Sequence, residues 1–264
     1  MERTLPGLAL AACWLLLLLR GPFFLFWGVM VLVALIGGME YVKMCVRHES
    51  GLFRTLILAG IFVLPVVTSG LKASAGTGLF VSFFLLACYI LFHFRFVTNS
   101  FEDLCRYSFG ILYIGFLTSH LVLIRQLPDG AAWLVILSAI TAGSDSGAYY
   151  CGRAFGRIKL CPNISPKKTV EGVVGGLAAG IALSAFFAFL LLPAVNWLFL
   201  LPVAALLTGA GILGDLTESV IKRGTDTKDS GTILAGHGGI LDRMDSLLFA
   251  GPALYYLLVL AGPK

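Results

Sequence analysis

Long apolar runs separated by short polar stretches make up most of the sequence. The runs are rich in leucine, phenylalanine, valine, alanine and glycine, and they hold few charged residues. A helix needs roughly 20 mostly apolar residues to cross a membrane, and most of the runs approach that length. Nine helices are predicted, at about residues 5–19, 23–39, 52–68, 78–97, 109–124, 131–150, 172–192, 197–216 and 247–260. The pattern therefore indicates an all-α fold, that of a polytopic integral membrane protein with about nine transmembrane helices.

Composition supports a lipid environment for this chain. Of its 264 residues, 58% are hydrophobic and 12% are charged, whereas about 25% of the residues of a typical soluble domain are charged. So little charge could not cover this much apolar surface in water. Within a bilayer each segment has to satisfy its own backbone hydrogen bonds, which favours helices. Composition thus excludes an ordinary soluble enzyme.

Positive charge is distributed unevenly between the two predicted sides of the membrane. With nine spans, 15 of the 19 lysine and arginine residues fall on the side that holds the N-terminus, and four fall on the other side. Because loops rich in lysine and arginine face the cytoplasm, the N-terminus is predicted inside and the C-terminus outside. The first two apolar runs are short, and Arg20-Gly21-Pro22 separates them. If they form one hairpin that does not span, the N-terminus changes sides but the later loops do not.

The chain is predicted to have three parts. Residues 1–75 form N-terminal transmembrane helices, and residues 76–130 form middle helices that are a candidate dimerisation segment. Residues 131–264 form a C-terminal catalytic transmembrane domain with cytoplasmic polar loops. Ten of the 31 residues from 215 to 245 are Asp, Glu, Lys or Arg, and a second polar loop covers residues 152–171. Both loops fall on the predicted cytoplasmic side, so the function is expected there.

Four aspartates lie near the cytoplasmic ends of predicted spans. Asp145 is in the sixth span, Asp215 is in the eighth, and Asp242 and Asp245 come just before the ninth. An acidic side chain at membrane depth is costly, so it is a functional candidate by default. The three segments can bring these acids to the same leaflet boundary.

Helical spacing places further polar residues beside one of these acids. Five polar residues have the spacing i, i+3, i+4, i+7 and i+8, namely Asp215, Glu218, Ser219, Lys222 and Arg223. Residues with this spacing share one face of a helix. Carboxylates hold Mg²⁺, and lysine and arginine bind phosphate oxygens. This face therefore suits a metal-bound polyphosphate.

A glycine-rich loop follows that polar face. Lys228-Asp229-Ser230-Gly231 precedes Gly236-His237-Gly238-Gly239. Glycines on both sides of a histidine let backbone amides approach a phosphate closely. His237 is expected to bind a phosphate or to support a metal ligand.

The second polar loop contains a candidate anion site. Ser165-Pro166-Lys167-Lys168 precedes Thr169-Val170-Glu171-Gly172. Ser165 followed by Pro166 is a typical start signal for a helix. Helix N-termini attract anions, and the two lysines strengthen that attraction. A helix that binds phosphate at its start is therefore predicted here.

These motifs together resemble the signature of the phosphatidate cytidylyltransferases, also called CDP-diacylglycerol synthases. The resemblance rests on Ser219-x-x-Lys222-Arg223, then Lys228-Asp229-Ser230, then Gly236-His237-Gly238-Gly239-Ile240-Leu241-Asp242-Arg243-Met244-Asp245. The segments 145–149, 165–172 and 214–216 are also similar to family segments. Ala235 departs from the family pattern, which often has proline there. The N-terminal half resembles the family in hydropathy and position only.

The resemblance implies that phosphatidic acid attacks the α-phosphorus of CTP and gives CDP-diacylglycerol and pyrophosphate in phospholipid biosynthesis. It implies Mg²⁺ as cofactor, with two ions per site, and a homodimer in a lipid bilayer. Nucleic acid is not an expected partner. The short chain favours a bacterial inner membrane as the location and leaves an organelle membrane open, and the active site is expected to face the cytoplasm.

The residue pattern and the resemblance together assign roles to individual side chains. The expected catalytic residues are Asp215, Lys222, Arg223, Asp229 and Asp242. The expected substrate-binding residues are Asp145, Ser165, Lys167, Lys168, Ser219, Lys228, His237, Gly238 and Arg243. The expected metal ligands are Asp215, Asp242 and Asp245.

The sequence was also compared with the patterns of other functions. A CTP-dependent polyprenol kinase shares parts of the motifs but transfers a phosphoryl group. CDP-alcohol phosphotransferases have several aspartates at helical spacing after an Asp-Gly and an Ala-Arg pair, a pattern absent here. An ion-coupled transporter would place its polar groups at the membrane midplane between broken helices, whereas here they lie at one boundary. A pure assembly protein would not need these polar loops.

Overall fold

Helices dominate the computed structural model, which describes residues 4–45, 51–71, 74–94, 100–231 and 238–261. One π-helical turn and two short strands complete its regular structure. The elements are α1 (Thr4–Arg20), α2 (Phe23–Cys45), α3 (Leu52–Gly70), α4 (Ala75–His93), α5 (Ser100–Gly110), the π-helical turn (Ile111–Phe116), α6 (Leu117–Gln126), α7 (Gly130–Phe155), β1 (Lys159–Cys161), β2 (Ser165–Thr169), α8 (Val170–Leu191), α9 (Trp197–Gly224) and α10 (Leu241–Ala261).

The helices confirm the predicted all-α membrane architecture. Within the described ranges, seven segments are long and apolar enough to cross a membrane: α2, α3, α4, the continuous run of α5 to α6, α8, α9 and α10. Two further helices, α1 and α7, match the first and sixth predicted spans. The helices extend beyond several predicted bounds. In particular, α9 continues to Gly224 and carries the polar face that was predicted from helical spacing.

The chain divides into two compact units, each built from separate stretches of sequence. The first unit contains residues 1–11, 21–123 and 225–243. The second contains residues 12–20, 124–224 and 244–264. The predicted division at residues 75 and 130 stays a prediction.

Aromatic residues form much of the core of the first unit. The ring centroid of Phe62, in α3, lies 6.0 Å from that of Tyr41 and 6.5 Å from that of Tyr107. The Tyr41 hydroxyl donates to the Arg106 carbonyl at 2.9 Å. Gly115, in the π-helical turn, packs directly against the Phe62 carbonyl. The second helix was predicted at about residues 23–39, but α2 continues to Cys45 and buries Tyr41.

Small residues bring α7 and α8 together in the second unit. Gly143 and Gly147 of α7 face the backbone of α8 at Gly175 and Ala179. On α8, buried glycines recur every four residues, at Gly172, Gly176 and Gly180. Small residues at this spacing allow membrane helices to pack with their backbones close together. This contact positions the ends of α7 and α8 that carry polar residues.

The prediction that a helix begins at Ser165 is wrong, because Ser165–Thr169 is the strand β2. Strands β1 and β2 form an antiparallel pair, with Lys159 opposite Thr169 and Cys161 opposite Ser165. Pro166 lacks an amide hydrogen and is tolerated at the edge of a small sheet. The helix begins at Val170 because the Thr169 Oγ1 accepts a hydrogen bond from the Gly172 amide at 3.1 Å, a typical N-cap contact.

Candidate active site

Two lysines and three aspartates of the second unit lie close together. The Lys168 Nζ contacts the Asp215 Oδ2 at 2.6 Å. Asp245 lies near enough to Asp145 and Asp215 for repulsion between the carboxylates, and near enough to Lys222 for attraction. We call these five residues, Asp145, Lys168, Asp215, Lys222 and Asp245, the acid–lysine cluster.

The members of the acid–lysine cluster come from four different elements. Asp145 belongs to α7, Lys168 to β2, Asp215 and Lys222 to α9, and Asp245 to α10. Gly214 allows the backbones of α9 and α10 to approach, because a Cβ there would overlap the Asp245 carbonyl. Since Asp215 is the next residue, this close approach brings its carboxylate toward Asp245.

The remaining polar residues on α9 extend the cluster along one helix face. The Lys222 Nζ donates to the Glu218 Oε2 at 3.0 Å, and the Glu218 side chain is only 1% exposed. The Arg223 Nε donates to the Ile164 carbonyl at 3.4 Å, so α9 contacts the turn between β1 and β2. A buried carboxylate that is paired with lysine fixes the position of that lysine at the edge of the cluster.

A separate network of the first unit surrounds the start of α10. The Asp242 Oδ2 accepts hydrogen bonds from the Gly239 amide at 2.7 Å and from the Ser230 amide at 3.2 Å. The Ser230 Oγ in turn accepts from the Asp242 amide at 3.3 Å. The predicted metal ligand Asp242 therefore also organises the chain around it.

Gly238 and Glu40 are part of this same region. Gly238 has a φ of 79°, a conformation that favours glycine, and a Cβ there would approach the Asp242 carboxylate. Glu40 accepts hydrogen bonds from the amides of Ile240 and Leu241. Sequence reasoning missed Glu40, although an acid within the apolar run of α2 was a signal for it.

The other predicted site residues differ in how exposed they are. Ser165 and Ser219 are half-buried, whereas the exposed residues are Lys167, Lys228, Asp229 and Arg243. His237 lies outside the described residues, so its predicted role is not addressed by the structure. The roles of all these residues stay predictions.

The donor chemistry of the acid–lysine cluster fits a divalent cation. In the part of the chain that the structure describes, no three Asp, Glu, His or Cys side chains already converge as a metal site. The Asp245 carboxylate nevertheless lies near enough to those of Asp145 and Asp215 to be repelled by both, and carboxylate oxygens are the ligands that Mg²⁺ prefers. A cation at Asp215 and Asp245 would relieve the repulsion between them.

Comparison with known proteins identifies the family. The model described as "Cytidylyltransferase family" matches residues 1–261. The phosphatidate cytidylyltransferase of Bacillus subtilis (strain 168) is 36% identical over 264 residues, which cover 98% of this chain and 97% of the relative. That of Pseudomonas aeruginosa is 36% identical over 250 residues, 93% of this chain and 91% of the relative. That of Brucella suis is 43% identical over 148 residues, 55% of this chain and 54% of the relative. With its whole length matched in this way, the chain belongs to the cytidylyltransferase family.

Proposed function

We propose that this protein is an integral membrane nucleotidyltransferase that converts CTP and phosphatidic acid into CDP-diacylglycerol and pyrophosphate. The observation that carries the proposal is the contact of Lys168 with Asp215 beside Asp145, Lys222 and Asp245. This cluster lies in a chain whose relatives over nearly the full length are phosphatidate cytidylyltransferases. Several membrane-spanning helices suit an enzyme with a lipid substrate.

The reaction joins two anionic molecules, so its main requirement is charge neutralisation. A phosphate oxygen of phosphatidic acid forms a bond to the α-phosphorus of CTP. The bond from that phosphorus to the oxygen bridging to the β-phosphate breaks, and pyrophosphate leaves with the electron pair. The attacking oxygen is already anionic at neutral pH, so no side chain has to remove a proton. The enzyme needs positioned cations more than covalent chemistry.

Lys168 and Lys222 are the proposed phosphate-binding groups of the acid–lysine cluster. A lysine ammonium has three N–H donors, so Lys168 can keep its contact with Asp215 and still donate to a phosphate oxygen. Lys222 is held by Glu218 in the same way. Each lysine is therefore held in place before substrate arrives, which lowers the entropy cost of binding.

We propose Mg²⁺ as cofactor, held by Asp215 and Asp245 with Asp145 as a further candidate ligand. A bound Mg²⁺ would supply additional positive charge for the phosphates. The presence of two ions per site stays a prediction from the sequence. So do the role of Asp242 as a ligand and the roles of Arg223 and Asp229 in catalysis.

Location and assembly are part of the same proposal. An active site that faces the cytoplasm is supported by the excess of lysine and arginine on one predicted side. A bacterial inner membrane agrees with the bacterial sources of the relatives. A homodimer is proposed from the family resemblance. A measurement of the mass of the detergent-solubilised protein tests this assembly.

The experiment that tests the proposed function is a direct assay of the product. Purified protein is incubated with phosphatidic acid micelles, Mg²⁺ and CTP labelled in the cytidine or in the γ-phosphate. We expect cytidine label in the lipid and γ-label in pyrophosphate. Transfer of γ-label to a polyprenol, without any cytidine-labelled lipid, would contradict the proposal in favour of a kinase.

The same assay tests Lys168. Lys168→Gln keeps a polar side chain but removes the positive charge beside Asp215, so we expect CDP-diacylglycerol formation to fall by about 100-fold. Lys159→Gln is the matched control, because Lys159 is an exposed lysine of β1 in the same hairpin, and its activity should stay within about twofold of the parent. Equal rates for the two variants would remove Lys168 from the proposed site.

A further inference from the structure

Glu40 is an acidic residue near the end of the apolar helix α2, and it is only 3% exposed. Its Oε1 accepts a hydrogen bond from the Ile240 amide at 3.0 Å, and its Oε2 accepts one from the Leu241 amide at 2.9 Å. The Ser230 hydroxyl donates to the Oε2 at 3.3 Å. One buried carboxylate thus has three donors, one within the predicted glycine-rich loop and two directly after it.

Two glycines make room for this carboxylate. A Cβ on Gly231 or on Gly239 would overlap the Glu40 side chain, and one on Gly239 would also overlap the Ser230 hydroxyl. The backbone therefore approaches Glu40 more closely than any other residue type would allow. The glycines at these two positions suit a buried acid as well as a phosphate.

The contacts of Glu40 connect directly to Asp242. Ser230, which donates to Glu40, also accepts from the Asp242 amide, and the Ser230 amide donates to the Asp242 carboxylate. The amide of Leu241 begins α10 and that of Ile240 directly precedes it, and the amides at a helix start have no partner within the helix. Glu40 satisfies these amides from a distant part of the sequence, as a capping side chain does locally.

We propose that Glu40 is a positioning residue, which fixes Ser230 and the start of α10 and thereby sets the orientation of Asp242. The inference rests on the proposed function for its effect on catalysis, because it acts through Asp242, which the sequence predicts to be a metal ligand of that reaction. Glu40 touches no substrate in this scheme. Its contribution is a rigid connection between α2 and the segment that carries Asp242.

The test replaces Glu40 by glutamine and measures both structure and activity. Glutamine has the same size, but its NH₂ group is a donor that would face the backbone and hydroxyl donors now bound to the carboxylate. Amide hydrogen exchange is measured by mass spectrometry on peptides that contain residues 240–242. We expect exchange there to become about tenfold faster or more, because a buried hydrogen bond is lost.

Activity is measured per folded molecule, taken from the monodisperse peak in size-exclusion chromatography. We expect the kcat of Glu40→Gln for CDP-diacylglycerol formation to fall by roughly 10- to 100-fold, as for other residues that orient a ligand side chain. Glu102→Gln is the matched control. Glu102 is a more exposed acid of α5 in the same unit, paired with Arg106, and its exchange and kcat should match the parent.

Each outcome decides between a positioning role and a merely structural one. Unchanged exchange at residues 240–242, or a kcat per folded molecule within about twofold of the parent, would overturn the inference. Should Glu40→Gln fail to fold, Ser230→Ala removes a single hydroxyl, the one that donates to Glu40 and accepts from the Asp242 amide, and it is expected to change exchange and kcat in the same direction. A parent that makes no CDP-lipid overturns the proposed function alone, because the exchange rates still report whether Glu40 holds the start of α10.

Discussion

Replacement of Asp215 by asparagine is expected to lower CDP-diacylglycerol formation by about 100-fold or more. The substitution keeps the shape of the side chain and removes its charge. In the structure the Asp215 carboxylate pairs with the Lys168 Nζ at 2.6 Å. Without that carboxylate, Lys168 loses its anchor and the proposed Mg²⁺ loses a ligand. The measurement is the initial rate of product formation over a range of Mg²⁺ concentrations.

Asp129→Asn is the matched control for this substitution. Asp129 belongs to the same unit and directly precedes α7, about 24 Å from Asp145 along the helix axis. It has a φ of 53° and its side chain makes no capping hydrogen bond, and asparagine tolerates this left-handed conformation well. The control should keep parental activity. If Asp215→Asn also did so, Asp215 would be neither a metal ligand nor the anchor of Lys168.

Replacement of Gly147 by valine is expected to destabilise the second unit strongly. A Cβ at Gly147 would lie 2.5 Å from the Gly175 carbonyl oxygen and 2.6 Å from the Ala179 Cβ. Two of the nearby atoms belong to the backbone of α8, which cannot rotate away as a side chain can. Overpacking of this kind typically costs about 1–3 kcal/mol. Because α7 carries Asp145, the remaining folded protein should also have lower activity.

Thermal unfolding in detergent measures the effect at Gly147, with Gly209→Val as its control. Gly209 lies on α9 in the same unit, and a Cβ there would meet no atom within 4 Å. The control should melt within a few degrees of the parent, while Gly147→Val should melt much lower or fail to accumulate. Equal melting temperatures for the two variants would show that α7 and α8 do not depend on this close contact.

Features with a short-range cause could be predicted from the sequence. The apolar runs were sufficient for the helical membrane fold, because a bilayer leaves each segment few alternatives. The spacing of Asp215, Glu218 and Lys222 was sufficient to place them on one helix face, and α9 contains all three. Asp242 and Asp245 were expected just before the ninth span, and α10, which begins at Leu241, contains both.

Features that depend on contacts between distant residues could not be predicted in the same way. Pro166 favoured a helix start, but pairing with β1 made Ser165–Thr169 a strand and moved the helix start to Val170. The ion pair of Lys168 with Asp215 joins β2 to α9, and nothing in the local pattern distinguishes Lys168 from Lys167. The role of Glu40 was missed, because its three donors lie far along the chain.

The distance between Glu40 and its donors along the chain also has a consequence for biosynthesis. Ile240 follows Glu40 by 200 residues, which a ribosome adds in roughly 10–40 s at about 5–20 residues per second. During that time α2 is already synthesised, but a nascent chain that ends before Ser230 contains none of the three donors. The carboxylate therefore needs water, lipid headgroups or an insertion factor as its partner until the start of α10 emerges. The first unit can reach its final form only after Leu241 has been synthesised.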